Sequence, residues 1–515
     1  MFSRESSEEK TTGPEPEKQA TPVTSEQKRL ELGNITEDPV EASVLFTLDN
    51  PYHPFNWPLW QKYLITIVYC ALQTFVTLTS TSYVAIEFLV QEKFGVSTQV
   101  SALGQSMFIL GTAIGPAFLG CAYPKNMPML AIFMFIIGLC GSTALSNVAG
   151  TIGDLFGNSD VASQPMALFV FSANTGPSVG GVVGEAISEN SSLGYKWLFL
   201  INIIVGAAFF VGLMFVPETL PRIVIPERMA IEGKNVPSVI KREFKYFFNS
   251  VTGKKQDFMN EVTDPKDPNT TIVVEKVNAI HEMKFVCVMA LKMMVTEPII
   301  IFLGLFNGFA YGLLFLYLDG IFDVFVYNNH LSYMDAEVTY LNFVVGVACV
   351  VCIVPIQTWL FKRDRKKNGG VPRPEARFLL SLVTVWGFPI SLFWFAFTCD
   401  GSVNYWSPIM AGFVLGIADP LLWLAMLNYI IDSYSEAGLS NSGIAAFTIP
   451  SFSIAAALTH AGIAMFDDMS AKWAMATLAF ISLLVVVLVY VFYFFGAKLR
   501  ASSKLARISG VKASA

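Results

Sequence analysis

Six acidic side chains fall inside or at the ends of long apolar stretches: Glu87, Glu185, Asp319, Asp323, Asp419 and Asp432. An ionised carboxylate is costly in an apolar medium, so such a group tends to exchange a proton or pair with a cationic or hydrogen-bonding partner. Glu185, Asp319 and Asp419 are the candidates for that chemistry. The other three sit near stretch ends and read as interfacial and solvated. Polar and aromatic residues share the same stretches: Asn307, Tyr311, Tyr317, Trp423, Asn428 and Tyr429. A ligand pocket combines apolar walls with a few polar anchors, and Asn307, Tyr311, Tyr317, Asn428 and Tyr429 can supply both. The plainer reading of the aromatics is a lipid-facing or interfacial position. Gly176, Gly180 and Gly184 recur every four residues and line one face of a helix. With Gly181 and the helix-kinking Pro177 beside them, they let a neighbouring helix come close.

Other chemistries lack support. The four histidines (His53, His281, His330, His460) form no ligand cluster, although His460 lies in an apolar stretch and could relay a proton. The seven cysteines read as small buried hydrophobes, with neither a zinc site nor a disulfide framework expected. No metal or other cofactor is implied. A phosphate-binding GxxxxGK[ST] loop is absent, as are the HExxH and GxSxG hydrolase motifs, so an ATP-driven pump or an enzyme is disfavoured.

The elements that must position these groups are membrane helices. The chain has 515 residues, of which 53% are hydrophobic and only 14% charged, and its mean hydropathy is +0.53. A soluble domain carries about 25% charged residues, so this chain needs an apolar solvent, the lipid bilayer. A span takes about 20 mostly apolar residues. Candidates lie at about 62–86, 98–121, 128–150, 165–187, 195–216, 298–325, 338–360, 377–398, 405–431, 437–465 and 471–496. The fold class is therefore all-α integral membrane, in two helical bundles with about eleven spans. The expected organisation is a polar cytoplasmic tail at 1–61, a first bundle at 62–216, a cytoplasmic central loop at 217–297, a second bundle at 298–496 and a cytoplasmic tail at 497–515. The net charge of −6, without a dense basic face, suggests no nucleic-acid partner.

Loop charge sets orientation. Lys362, Arg363, Arg365, Lys366, Lys367, Arg373 and Arg377 mark one cytoplasmic loop, and Lys498, Arg500, Lys504, Arg507 and Lys512 mark the tail. The second bundle is self-consistent on this count. The first is not: five spans precede the central loop, and an odd number would put the signal-less N-terminal tail outside. Asn190-Ser191-Ser192 fits the glycosylation pattern between two spans, making Asn190 a candidate acceptor, whereas Asn269-Thr270-Thr271 reads as a chance match.

The order of several short motifs resembles the twelve-helix drug:proton antiporter branch of the Major Facilitator Superfamily, and more narrowly fungal multidrug, polyamine and toxin exporters. They are Asn50-Pro51 and Asn56-Trp57 before the first helix; Gly138 to Ser142 and Ala149 to Phe156 around helix four; Thr175 to Gly181 in helix five; Trp197 to Asn202 and Pro217 to Leu220 around helix six; Thr296-Glu297-Pro298 and Tyr311 to Leu314 in helix seven; and Pro374 to Arg377 before helix nine. The resemblance covers roughly residues 50–500. It implies proton-coupled export of small amphipathic molecules by alternating access, from a monomer in the plasma membrane, with the vacuolar membrane as the other address. It also implies that Gly176, Pro177, Gly180, Gly181 and Gly184 form a bendable antiporter-motif seal.

One departure stands out. Gly115 to Gly120 resembles the end of helix two, and Cys121 to Leu130 the approach to helix four. Helix three and the gating loop before it are missing, which also explains the odd count of spans. Either an exon is absent from the sequence, or the protein is an eleven-helix variant. The second possibility keeps open a non-transporting sensor or relic.

Overall fold

The computed structural model describes residues 53–114, 126–156, 162–190, 196–213, 279–371, 373–434 and 439–503, with short pieces at 215–217, 219, 224, 261–264, 267–273 and 505. The expected N-terminal tail and the junction at 115–125 lie outside the described residues, as does most of the central loop.

The chain is a succession of long helices. The first half holds α1 (Leu59–Ala85), the short α2 (Glu87–Phe94), α3 (Leu103–Ile114), α4 (Met127–Phe156), α5 (Ser163–Ser188) and α6 (Lys196–Leu213). A small antiparallel hairpin follows, β1 (Glu261–Asp264) with β2 (Asp267–Val273). The second half holds α7 (Ala279–Thr296), α8 (Pro298–Phe322), the short α9 (Tyr333–Thr339), α10 (Leu341–Lys367), α11 (Gly387–Thr398), α12 (Trp406–Tyr434), α13 (Ser440–Asp468) and α14 (Ala471–Ser502). Each expected span overlaps one of these helices, although 98–121 is described only as far as residue 114 and α11 covers only the second half of 377–398. Among the described residues eight helices are long and apolar enough to cross a bilayer, or nine if the bent pair α7–α8 counts as one.

The surface confirms the solvent. Ile204, Phe210, Trp359, Val383, Phe480 and Phe494 are more than half exposed. In water such a belt would be an aggregation hazard; against lipid tails it costs nothing. The same logic corrects one expectation. Cys70 and Cys399 are buried, but Cys287 and Cys352 are exposed. Cys349 and Cys352 stand one helical turn apart on α10, at C-x-x-C spacing, and both are free thiols. On a lipid-facing surface a thiol needs no burial to be apolar.

In each half the first spanning helix packs on the last but one: α1 on α5, and α8 on α13. Glycines make both contacts possible. A Cβ at Gly176 would strike Thr77 and the Thr74 carbonyl, one at Gly180 the Leu78 carbonyl, and one at Gly184 the Ser82 carbonyl. In the second half Gly304, Gly308 and Gly312 repeat the spacing and lie against Pro450, Ile454 and Leu458 of α13. Hydroxyls stitch the surfaces: Thr74 donates to the Ser172 carbonyl at 3.0 Å, Thr81 to the Pro177 carbonyl at 2.8 Å, and Ser451 to the Gly304 carbonyl at 3.1 Å. Each such bond between membrane helices contributes about 0.6 kcal/mol.

The Thr296-Glu297-Pro298 motif makes a corner. Pro298 cannot donate back into α7, and the two helices meet at 87°. Glu297 is buried there and accepts hydrogen bonds from the Tyr434 hydroxyl at 3.2 Å, the Leu505 amide at 3.3 Å and the Ser503 hydroxyl. The start of the C-terminal tail is thus tied to the corner.

Candidate functional site

The two halves meet along α5–α10, α5–α12 and α3–α13. At the centre of that seam is a cavity of about 30 Å³, lined by Gln73, Thr77 and Thr81 of α1, Pro177 of α5, Tyr311 of α8 and Phe452 of α13, among others. That volume holds a water or two but no organic molecule. Both halves are drawn together over it.

Tyr311 is where the sequence reading and the cavity coincide. Its ring lies 5.2 Å from that of Phe452, and it is close enough to Asp419 to feel the carboxylate's charge. Asp419 is buried on α12, and no salt bridge among the described residues involves it. Pro420 beside it cannot donate to the Gly416 carbonyl, which loosens the helix at the carboxylate. Asn307 is buried one turn before Tyr311. The remaining candidates go elsewhere. Asn428 donates to the Leu424 carbonyl of its own helix at 3.0 Å. Tyr429 is packed among Phe378 and Phe492, inside the second half. Asn190 is exposed at the end of α5. The side chains of Tyr317 and Asp319 lie outside the described residues.

The sequence reading passed over Gln73. It is buried, it lines the cavity, and its Oε1 has no hydrogen-bond partner. An orphaned acceptor in a cavity that also sees Tyr311 is a place for a ligand donor. One amide on a helix rich in Thr and Ser gives little sign of this in the sequence.

The glycine face packs within the first half, since Gly176, Gly180 and Gly184 all face α1. Gly181 alone turns toward the second half, where it receives the carboxylate of Glu337 on α9. At the same end of the bundle His460 of α13 bridges to the first half, its Nε2 2.9 Å from Ser106 Oγ and its Nδ1 3.2 Å from Gln99 Oε1.

The opposite, basic end has its own latch. Arg377 grips Asp432 through Nε at 2.6 Å and Nη2 at 3.2 Å, stacks on Phe361, and donates from Nη1 to Ser163 Oγ of the first half at 2.9 Å. Nearby, the hydrogen bonds that Arg373 makes to Asp364 hold its guanidinium above its ordinary pKa. Arg377 is almost fully buried, and removing one partner of a buried pair costs about 3–5 kcal/mol. Arg377→Ala is therefore expected to lower the melting temperature of the solubilised protein sharply. Arg377→Lys, which keeps the charge but not the fork, should fall in between. Equal melting temperatures for all three proteins would show that the latch adds no stability.

Two helical halves, in contact at both ends around a small cavity with mainly apolar walls and a few polar side chains, have the architecture of a membrane transporter. A sequence profile of the Major Facilitator Superfamily matches residues 74–459, and the chain belongs to that family. It is 43% identical over 521 aligned positions to the uncharacterized transporter C965.13 of Schizosaccharomyces pombe, covering 96% of this chain and 90% of that protein. It is 38% identical to the vitamin B6 transporter bsu1 of the same yeast (93% and 88% covered). To the citrinin biosynthesis cluster transporter mrr1 of Monascus ruber it is 28% identical (88% and 90% covered). Among solved structures, the xylose transporter XylE from E. coli, in a partially occluded inward-open conformation, superposes with a TM-score of 0.53 at 12% identity, covering 84% of this chain and 98% of that one. The alignment with C965.13 is longer than this whole chain yet covers only part of it. This chain is therefore gapped against that relative at some positions along its length.

Proposed function

We propose that the protein is a proton-coupled exporter of small amphipathic organic molecules: drugs, polyamines or secondary metabolites. The observation that carries this reading is the cavity between the halves, with Gln73 and Tyr311 at its wall and the buried Asp419 behind them. Gln73 and Tyr311 supply a hydrogen-bond acceptor and an aromatic surface for an amphipathic guest. Asp419 supplies an acid that gains or loses a proton as the halves rock. The relative named for a citrinin biosynthesis cluster supports a secondary metabolite as substrate. The basic end, with Arg363, Arg377 and Arg500, faces the cytoplasm, and the plasma membrane is the expected location.

A second reading draws on the relative named as a vitamin B6 transporter: uptake of a small polar heteroaromatic compound through the same cavity. One experiment separates the two. Cells lacking the endogenous carriers and expressing this chain would be loaded with labelled pyridoxine or with a fluorescent cationic drug. Drug efflux that collapses with a protonophore supports export, and protonophore-sensitive accumulation of pyridoxine supports uptake. Movement of neither would remove both.

The chain is also proposed to be one helix short of the family's twelve. Residues 115–126 separate α3 from α4, too few for a further span of about 20 residues. Sequencing the transcript across Gly120–Cys121 tests it: an additional in-frame apolar segment there would restore twelve helices.

A further inference from the structure

The central cavity, the latch at the basic end and the glycine face all belong to machinery already described. One buried acid does not. Glu337 opens the second half's contribution to the α5–α10 seam and is 8% exposed. Its Oε2 lies against Gly181 so closely that a Cβ at residue 181 would overlap it. Glu185, one turn further along α5, is equally buried, and its charge reaches Glu337. None of the ion pairs among the described residues involves either acid.

The surroundings offer no counter-charge. The titratable groups on the elements around Glu337 are Glu185 and Glu189 at the end of α5, Tyr333 and Asp335 on α9 itself, Tyr340 at its C-cap, Asp323 and Tyr327 in the π-helical turn before it, and Tyr317 and Asp319 late in α8; the side chains of Tyr317, Asp319 and Asp323 lie outside the described residues. Asp335 is exposed and bonded to Ser332. None of these is a cation, and His330, in the loop leading to α9, is exposed. Two carboxylates buried within charge range of each other across a seam repel when both are ionised. Protonation of either one removes that repulsion and lets the seam close.

The position gives that chemistry a consequence. Glu185 belongs to the first half and Glu337 to the second. They meet at the end opposite the basic loops, beyond the central cavity, beside the level at which Gly184 abuts Ser82. We propose that Glu185 and Glu337 form a proton-binding site in the outer gate: one proton bound by the pair relieves their repulsion and closes the gate, and its loss drives the halves apart. Gly181 is the socket that lets Glu337 reach its partner. This explains a glycine that lies off the stripe facing α1.

The proposal rests on the alternating-access reading above and fits its direction. In an exporter, the emptied carrier must close to the outside before it resets. A proton arriving from an acidic exterior would permit that closure.

The test reads the gate without any substrate. Ser80 lines the cavity beneath the gate. In a Ser80→Cys protein, in de-energised cells, labelling by a membrane-impermeant maleimide added outside reports outward opening, measured above the labelling of the parent chain. Rates are corrected for the intrinsic pH dependence of thiol reaction with an exposed reference thiol. Between about pH 5.5 and pH 7.5 the corrected rate is expected to rise by about tenfold, the factor that a 1.4 kcal/mol shift in a two-state balance produces. Adding Glu337→Gln, which mimics the neutral acid, should leave the rate low and flat across that range, and Glu185→Gln should do the same. Adding Gly181→Ala, which evicts Glu337 from its socket, should leave it high and flat.

An unchanged pH dependence in both glutamine variants overturns the proposal. So does a dependence that survives them but vanishes with His460→Gln, which would move the sensor to the other seam. A corrected rate independent of pH in the Ser80→Cys protein also overturns it. Failure to move any organic solute would instead defeat the exporter reading and leave this result standing.

Discussion

Replacing Asp419 by asparagine is expected to abolish uphill transport while leaving the protein folded and able to exchange substrate. The side chain keeps its size, and no salt bridge is lost, because Asp419 makes none among the described residues. What disappears is the ability to ionise. Asp419 sits beside Pro420, where the helix is loosened, and within electrostatic reach of the cavity-lining Tyr311. A carboxylate so placed can couple protonation to the geometry of α12. Proton-driven efflux should fall by about tenfold or more, the loss that about 1.4 kcal/mol on the coupling step produces. Counterflow of labelled against unlabelled substrate, which needs no net proton movement, should remain within about twofold of the parent, a difference of only about 0.4 kcal/mol. If efflux and counterflow fall together, Asp419 binds substrate or holds the fold. If neither changes, the coupling carboxylate lies elsewhere, with Asp319 the next to replace.

Much of this architecture is legible in the sequence because the bilayer imposes a simple rule. A helix must be long and apolar to span it, so stretches such as 405–431 and 471–496 announce α12 and α14 directly. The glycine periodicity at Gly176, Gly180 and Gly184 likewise announces a close helix contact. What periodicity cannot give is the identity of the neighbour. The stripe belongs to α1 within one half, whereas the contact across the halves falls to Gly181. The matching stripe at Gly304, Gly308 and Gly312 is as regular, but it has no proline or second glycine beside it to mark it out. Glu337 was missed for another reason. It lies in a short polar helix capped by Ser332, ahead of the apolar window of α10, and looks like a solvated loop residue. Only the tertiary fold presses it into the seam. Tyr429 shows the reverse error of one-dimensional reading. It shares a helix with Asp419 but points into the aromatic packing of the second half, because ten residues along a helix need not present the same face.

The tight contact of α1 with α5 carries the second large effect. Gly180→Leu is expected to destroy the α1–α5 interface and with it the folded transporter. A Cβ at residue 180 would strike the Leu78 carbonyl oxygen and the Thr81 hydroxyl, and the carbonyl is backbone that cannot rotate aside. The isobutyl group must then prise α1 from α5, breaking the Thr81 bond to the Pro177 carbonyl and disturbing the Thr74 bond to that of Ser172. Overpacking in a tight core costs about 1–3 kcal/mol even for a few added carbons, and here the obstacle is main chain on a helix lining the cavity. Solubilised Gly180→Leu should give little monodisperse protein by size-exclusion chromatography, and transport should fall to background. Gly153→Leu is the matched control, since a Cβ there meets nothing within 4 Å; it should express and transport like the parent. Gly180→Ala should lie between, because a single methyl already meets the carbonyl. Should Gly180→Leu transport as well as Gly153→Leu, α1 and α5 do not need close contact, and the seal assigned to this glycine face does not exist.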